Sequence, residues 1–189
     1  MSKVDSNTIL IWKNFQAGNK EAFAFFYNLY VDDLFLYGTK LCNDNNLVKD
    51  AIQDIYIDLY NKRQSNNTDP INLKYYLILA LKRNLIKKIK RIRKFTSDTN
   101  DEIIFEPEYS IENILIEREE ESQLYCSIAI VLRELPSKQK EALCLRFNQA
   151  MPYPEIAKVM NISIESARKQ VYRGIKKIRE MFDQHIKKV

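Results

Sequence analysis

The chain has 189 residues, with 30 Lys and Arg against 25 Asp and Glu, and only three Gly and five Pro. So few turn-formers, and no sustained alternation of apolar and polar residues, exclude a sheet protein and predict an all-α chain of one large or two small helical domains. The N-terminus lacks a cationic segment leading into a long apolar one, and the apolar run Tyr76 to Leu81 is far short of the roughly 20 residues that span a bilayer, so the expectation is a soluble, unexported protein with no membrane insertion.

Trp12 and Phe15 open an apolar face that breaks at Gly18, and Asn19 can cap the next helix. Phe23, Phe26, Tyr30, Leu34, Tyr37 and Leu41 then step by three or four residues, the spacing of a long helix with an aromatic core face. A helix from about Leu47 to Tyr60 buries Val48, Ile52, Ile55 and Leu59. It leaves Asp50, Asp54 and Asp58 on one outward line, with Gln53 beside them. Like charges at i and i+4 repel, so this stripe opposes stability. It is either a solubility device or a docking face for a basic partner.

Residues 64–72 (QSNNTDPIN) form a polar, Pro-containing loop. The helix beyond it buries Leu73, Tyr76, Leu77, Ala80, Leu81, Leu85, Ile89 and Ile92. Lys82 to Lys94 holds eight cations in thirteen positions and no acid, a self-repelling density that calls for an anionic partner. Tyr75 and Tyr76 can stack on unpaired bases.

Periodicity is lost from Phe95 to Tyr109, where acids and Pro107 accumulate, and this stretch is expected to be a linker between domains. Ser110 caps a further helix running to Leu135, and Pro136-Ser137 starts another. Residues 1–94 hold 16 Lys and Arg against 9 acids, residues 95–134 hold 2 against 11, and residues 135–189 hold 12 against 5. Two basic blocks flank an acidic one, which suggests two nucleic-acid contacts joined by a segment that avoids nucleic acid or imitates it.

Tyr153 to Arg179 reads as a helix-turn-helix. Ile156, Val159 and Met160 share one face, Asn161 tolerates the left-handed conformation that ends a helix, Ile162 is an apolar plug, and Ser163 caps the second helix. In that helix Ala167, Val171, Ile175, Ile178 and Phe182 are expected to face inward. Arg168, Lys169, Tyr172, Arg173 and Lys176 are left facing out, with Arg168 and Arg173 the better candidates for base contact and Lys176 and Lys177, farther along, expected mostly to meet phosphate.

Cys42, Cys126 and Cys144 lack metal-spaced neighbours and are expected to be reduced core thiols. His185 stands alone near the end. With no phosphate loop, metal cluster or nucleophile–base pair, neither catalysis nor a cofactor is expected.

Gly18, Asn19, Ala22 and Phe23 (GN-x-x-AF), Asp50 to Tyr60 (D-x-x-Q-D-I-Y-I-D-L-Y) and a basic helix after Tyr76-Leu77 resemble the second conserved region of bacterial sigma factors. Leu135 to Leu143 (LPSKQKEAL), Tyr153 with Glu155 to Ala157 (Y-x-EIA) and the basic second helix resemble their fourth. Both regions joined without a third is the layout of extracytoplasmic-function (ECF) sigma factors. The resemblance implies region 2 at 1–94, a linker at 95–109 and region 4 at 110–189. It implies a cytoplasmic factor that binds core RNA polymerase and directs transcription initiation, with promoter DNA and an anti-sigma factor as further partners. Asp50, Gln53 and Asp54 match the docking site for the β′ clamp helices, and region 4 faces the β flap. Tyr75, Tyr76, Lys82, Arg83, Asn84, Lys87 and Lys88 fall where the family captures the melted minus-ten element. Arg168, Lys169, Tyr172, Arg173 and Lys176 match the face toward the minus-thirty-five element. The linker matches the segment lying along the RNA path.

Three positions depart from the pattern. Tyr replaces the tryptophan many relatives carry before the minus-ten helix, Asn161 replaces the turn glycine, and Ala167 is smaller than the usual branched residue. The competing function is a conventional helix-turn-helix regulator. Its N-terminal half would have to be a sensor, and a sensor has no use for the cation-rich helix at 82–94.

Overall fold

In a computed structural model of the chain, the described residues are 6–65, 72–96, 105–106 and 132–186, with side chains to 93 and to 180 in the two helices that end the second and last of these long stretches. Every regular element among them is helical. The chain divides into two compact units, Met1–Ile103 and Ile104–Val189. Residues 66–71, most of the expected linker, the expected helix as far as residue 131, Cys126 and the side chains of Phe182 and His185 lie outside the described residues.

The described residues of the N-terminal unit form four helices, α1 (Ser6–Gln16), α2 (Lys20–Thr39), α3 (Asn45–Asn61) and α4 (Leu73–Thr96). Gly18 ends α1 at φ 94°, a conformation that costs glycine nothing. Its N–H donates to the Phe15 carbonyl and that of Asn19 to the Asn14 carbonyl, the paired closure of a helix C-terminus. Asn19 also opens α2, its side chain accepting from the Ala22 N–H at 2.7 Å. Asp44 caps α3 in the same way, accepting from Asn46 and Leu47.

These short turns fold the aromatic face of α2 onto α1 and α3. Trp12 meets Phe26 edge-on with ring centroids 5.5 Å apart, and Phe23 meets Tyr60 at 5.4 Å. Tyr56 is buried and its hydroxyl donates to the Phe26 carbonyl at 3.3 Å. On α4 the buried line is Leu73, Leu77, Ile78, Leu81 and Leu85. Ile78 extends the expected set, whereas Ile92 corrects it, being 48% exposed. Full burial on α4 ends at Leu85, and Lys87, Lys90 and Arg91 beyond it are exposed.

The C-terminal unit contains α5 (Ser137–Leu143), a π-helical turn at Cys144–Asn148, α6 (Tyr153–Met160) and α7 (Ile164–Ile186). Leu135, Ala142, Leu143 and Val171 form one cluster of its core, with Leu132, Tyr153, Met160 and Ile178 packed against them. The inward line of α7 is Ala167, Val171, Gly174 and Ile178. Ile175, expected inward, is 37% exposed. The reason is a close helix approach: a Cβ at Gly174 would lie 2.8 Å from Leu143 Cδ1. The absence of a side chain brings α5 onto position 174 and rotates 175 to the margin. Phe105, within the expected linker, is buried in this unit, and its N–H donates to Ser137 Oγ at 2.8 Å.

Candidate functional site

Along α3, Asp50, Gln53, Asp54, Ile57 and Asp58 are exposed, as amphipathic spacing requires once Val48, Ile52, Ile55 and Leu59 turn inward. The carboxylates are not an unrelieved repulsive stripe. Asp54 lies 2.8 Å from Lys88 Nζ on α4, and Asp58 lies 2.7 Å from Lys62 Nζ one turn on. The hydrogen bond to Asp58 raises the Lys62 pKa above its ordinary value. Asp50 has no ion pair among the described residues.

The cations and polar groups of α4 do not share one face. Tyr76, Arg83, Asn84 and Lys87 share a side, spaced by seven, eight and eleven residues from Tyr76, and line an open cleft of about 260 Å³ with Asp54 and Asp58. Asn84 Oδ1 is buried without a hydrogen-bond partner. Tyr75 and Lys82 lie on a different line and are not part of the cleft. Lys88 points to α3 through its ion pair. Lys74, in the first turn of α4, is held by Asp33 of α2 at 2.7 Å.

In the C-terminal unit the turn between α6 and α7 is set by Asn161 at φ 54°, ψ 50°. The Ile162 N–H donates to the Ala157 carbonyl and the Asn161 N–H to that of Lys158, the closure that a left-handed residue makes possible. Ser163 Oγ then accepts from the Ser166 N–H at 3.1 Å and starts α7. This fixes the outward face: Arg168, Lys169, Tyr172, Arg173 and Lys176 are all exposed, Tyr172 by 68%. Lys169 pairs with Glu165 at 2.7 Å and Lys176 with Glu180 at 3.6 Å, both at exposed i, i+4 spacing and each worth only a few tenths of a kcal/mol. Arg173 has no ion pair among the described residues.

Two features of this face are not evident from residue spacing. The Tyr153 ring carries two guanidinium groups, Arg168 at 5.6 Å from its centroid and Arg146 at 4.9 Å. Arg146 is further held by a hydrogen bond to the Met151 carbonyl. Lys177, expected to meet phosphate, donates to the Glu134 carbonyl at 2.9 Å within its own unit.

Residues 128–178 match the family description Sigma-70, region 4, a span that includes α5, α6 and most of α7. The chain is 22% identical over 162 residues to the ECF RNA polymerase sigma factor SigM of Bacillus subtilis (strain 168), covering 85% of this chain and 94% of that protein. It is 23% identical over 172 residues to SigX of the same organism, covering 85% and 84%. The chain carries a sigma-70 region 4 and is homologous to ECF sigma factors.

This sigma-factor homologue shares its helical fold with two solved structures. One is the sigma factor RpoE in complex with the anti-sigma factor NepR from Bartonella quintana, with TM-score 0.57, 17% identity and coverage of 85% of this chain and 96% of that one. The other is CnrH in complex with the cytosolic domain of CnrY, with TM-score 0.57, 16% identity and coverage of 93% and 96%. Region 4 of the homologue contains the whole exposed face from Arg168 to Lys176. No described helix is long and apolar enough to cross a membrane.

Proposed function

We propose that this protein is an ECF-type sigma factor that binds core RNA polymerase and directs promoter recognition and transcription initiation. The observation that carries the reading is the helix-turn-helix of region 4, with its one-sided basic face, in the same chain as a helical unit whose α3 is acidic outward and whose α4 is densely cationic. In this reading residues 1–94 act as region 2, 95–109 as the linker and 110–189 as region 4. Asp50, Gln53 and Asp54 meet the β′ clamp helices. Tyr76, Arg83, Asn84 and Lys87 take the melted minus-ten strand in the α3–α4 cleft, where a tyrosine face stacks on a base and the Asn84 amide meets its edge. Tyr75 and Lys82 serve the same strand from the neighbouring line, and Lys88 joins them when its ion pair opens.

On α7, Arg168, Lys169, Tyr172, Arg173 and Lys176 face the major groove of the minus-thirty-five element, and region 4 meets the β flap. The protein works in the cytoplasm, without a catalytic step of its own. An anti-sigma factor is a further partner, a reading supported by the RpoE–NepR complex that shares this fold.

Core polymerase and the purified chain should form a stoichiometric complex without DNA, and that complex should initiate from a defined promoter. A chain that binds duplex DNA but not core polymerase would be a conventional regulator, and the proposal would be wrong.

A further inference from the structure

We propose that Ile57 is the apolar anchor of the polymerase-docking face, which runs Asp50–Gln53–Ile57 along α3 rather than along the three aspartates. This rests on the reading of α3 as the docking element. Residues 50, 53 and 57 are separated by three and four positions and so form one continuous outward line. Ile57 is 59% exposed, the highest value among the large apolar side chains described in the N-terminal unit.

Scattered exposed apolar residues are common and by themselves mean nothing. Ile57 differs in its surroundings. It follows Asp54 by three positions and precedes Asp58 directly, and both of those carboxylates are engaged by lysines of the same chain. A cation arriving on Asp54 or Asp58 must displace a lysine, whereas Asp50 has no ion pair among the described residues to give up. The line therefore offers one available carboxylate, one amide and one large apolar side chain, an apolar centre with a polar rim. The partner that fits is a helix of core polymerase with a cation opposite Asp50 and an apolar side chain two turns along opposite Ile57. Charge complementarity at Asp50 sets the register, and burial of Ile57 supplies the affinity.

The test uses the full-length protein and core polymerase without DNA, with affinity read by competition against the labelled wild-type chain. Ile57→Ala should weaken binding about tenfold, the effect of truncating an interface anchor, and Ile57→Leu should restore it to within about threefold, since volume-conserving apolar swaps are the best tolerated. The thermal midpoint of Ile57→Ala should match the wild type, because the side chain lies outside the core. If Ile57→Ala binds like the wild type while Asp50→Lys weakens binding, the anchor assignment is wrong and α3 remains the docking element. If neither substitution matters, α3 does not dock, and the reading of its acidic face falls as well.

Discussion

Asp54 of α3 and Lys88 of α4 form a 2.8 Å ion pair, with side chains 48% and 29% exposed. Asp54 adjoins the proposed docking line and Lys88 belongs to the proposed DNA surface, so each engages the other in the free protein. A pair this accessible contributes about 0.2–1 kcal/mol to stability. Asp54→Asn should therefore leave the thermal midpoint nearly unchanged but release Lys88. The expected outcome is a few-fold rise in affinity for single-stranded minus-ten DNA in the absence of polymerase, lost when Lys88→Gln is combined with it. Asp50→Asn removes the same charge without touching the pair, and an equal rise there would mean that net charge alone is responsible. The pair also bears on charge reversal. Asp54→Lys sets a cation against Lys88, so Asp50→Lys with Asp54→Lys should cost stability rather than relieve repulsion.

On α7, Arg173 has no ion pair among the described residues and Arg168 rests against the Tyr153 ring. A bidentate arginine–guanine contact is worth about 1–3 kcal/mol of discrimination. Arg173→Ala should relax the preferred sequence at one or two upstream positions when polymerase carrying the variant selects from a library randomised there. Lys177→Ala should behave differently from a phosphate contact. It loses the bond to the Glu134 carbonyl, so it should lower the thermal midpoint of the C-terminal unit and leave the salt dependence of DNA binding unaltered.

Gly174→Ala tests the packing that aims α7. The added Cβ would fall 2.8 Å from Leu143 Cδ1, and overpacking of this kind costs about 1–3 kcal/mol. Thermal unfolding should show the loss, and the same substitution in a Leu143→Ala background should cost much less. Equal costs in both backgrounds would mean that Leu143 is not the obstacle.

Tyr56 provides a pH test in the N-terminal unit. Burial, then the neighbouring Tyr27 and Tyr30, raise its hydroxyl pKa far above the ordinary 10.0. The folded value exceeds the unfolded one, so the stabilisation is fully present below about pH 10 and is lost as pH rises above it. Tyr56→Phe should cost on the order of 1 kcal/mol at neutral pH, because the hydroxyl bond to the Phe26 carbonyl is gone. It should also flatten the alkaline decline, and an unchanged alkaline profile would contradict the assignment.

The amino-acid sequence alone determined the elements and their punctuation. Gly18, Asn19, Asn161 and Ser163 act within a few residues of themselves, through local backbone conformation and capping bonds, so their roles were legible from type and position. The same holds for the basic outer face of α7, since helical spacing places Arg168, Lys169, Tyr172, Arg173 and Lys176 opposite Ala167 and Val171 whatever packs there. Tertiary structure decided what depends on a second helix. Gly174 rather than Ile175 faces α5 because contact distance, not hydrophobicity, governs that crossing, and Ile92 is exposed because full burial on α4 ends at Leu85. Spacing likewise gave no sign that Lys88 would neutralise Asp54, that Lys177 would bond to the Glu134 carbonyl, or that Arg146 and Arg168 would share the Tyr153 ring. Each of these contacts joins residues from separate elements, and a charge or an apolar side chain has no partner until the fold brings one within reach.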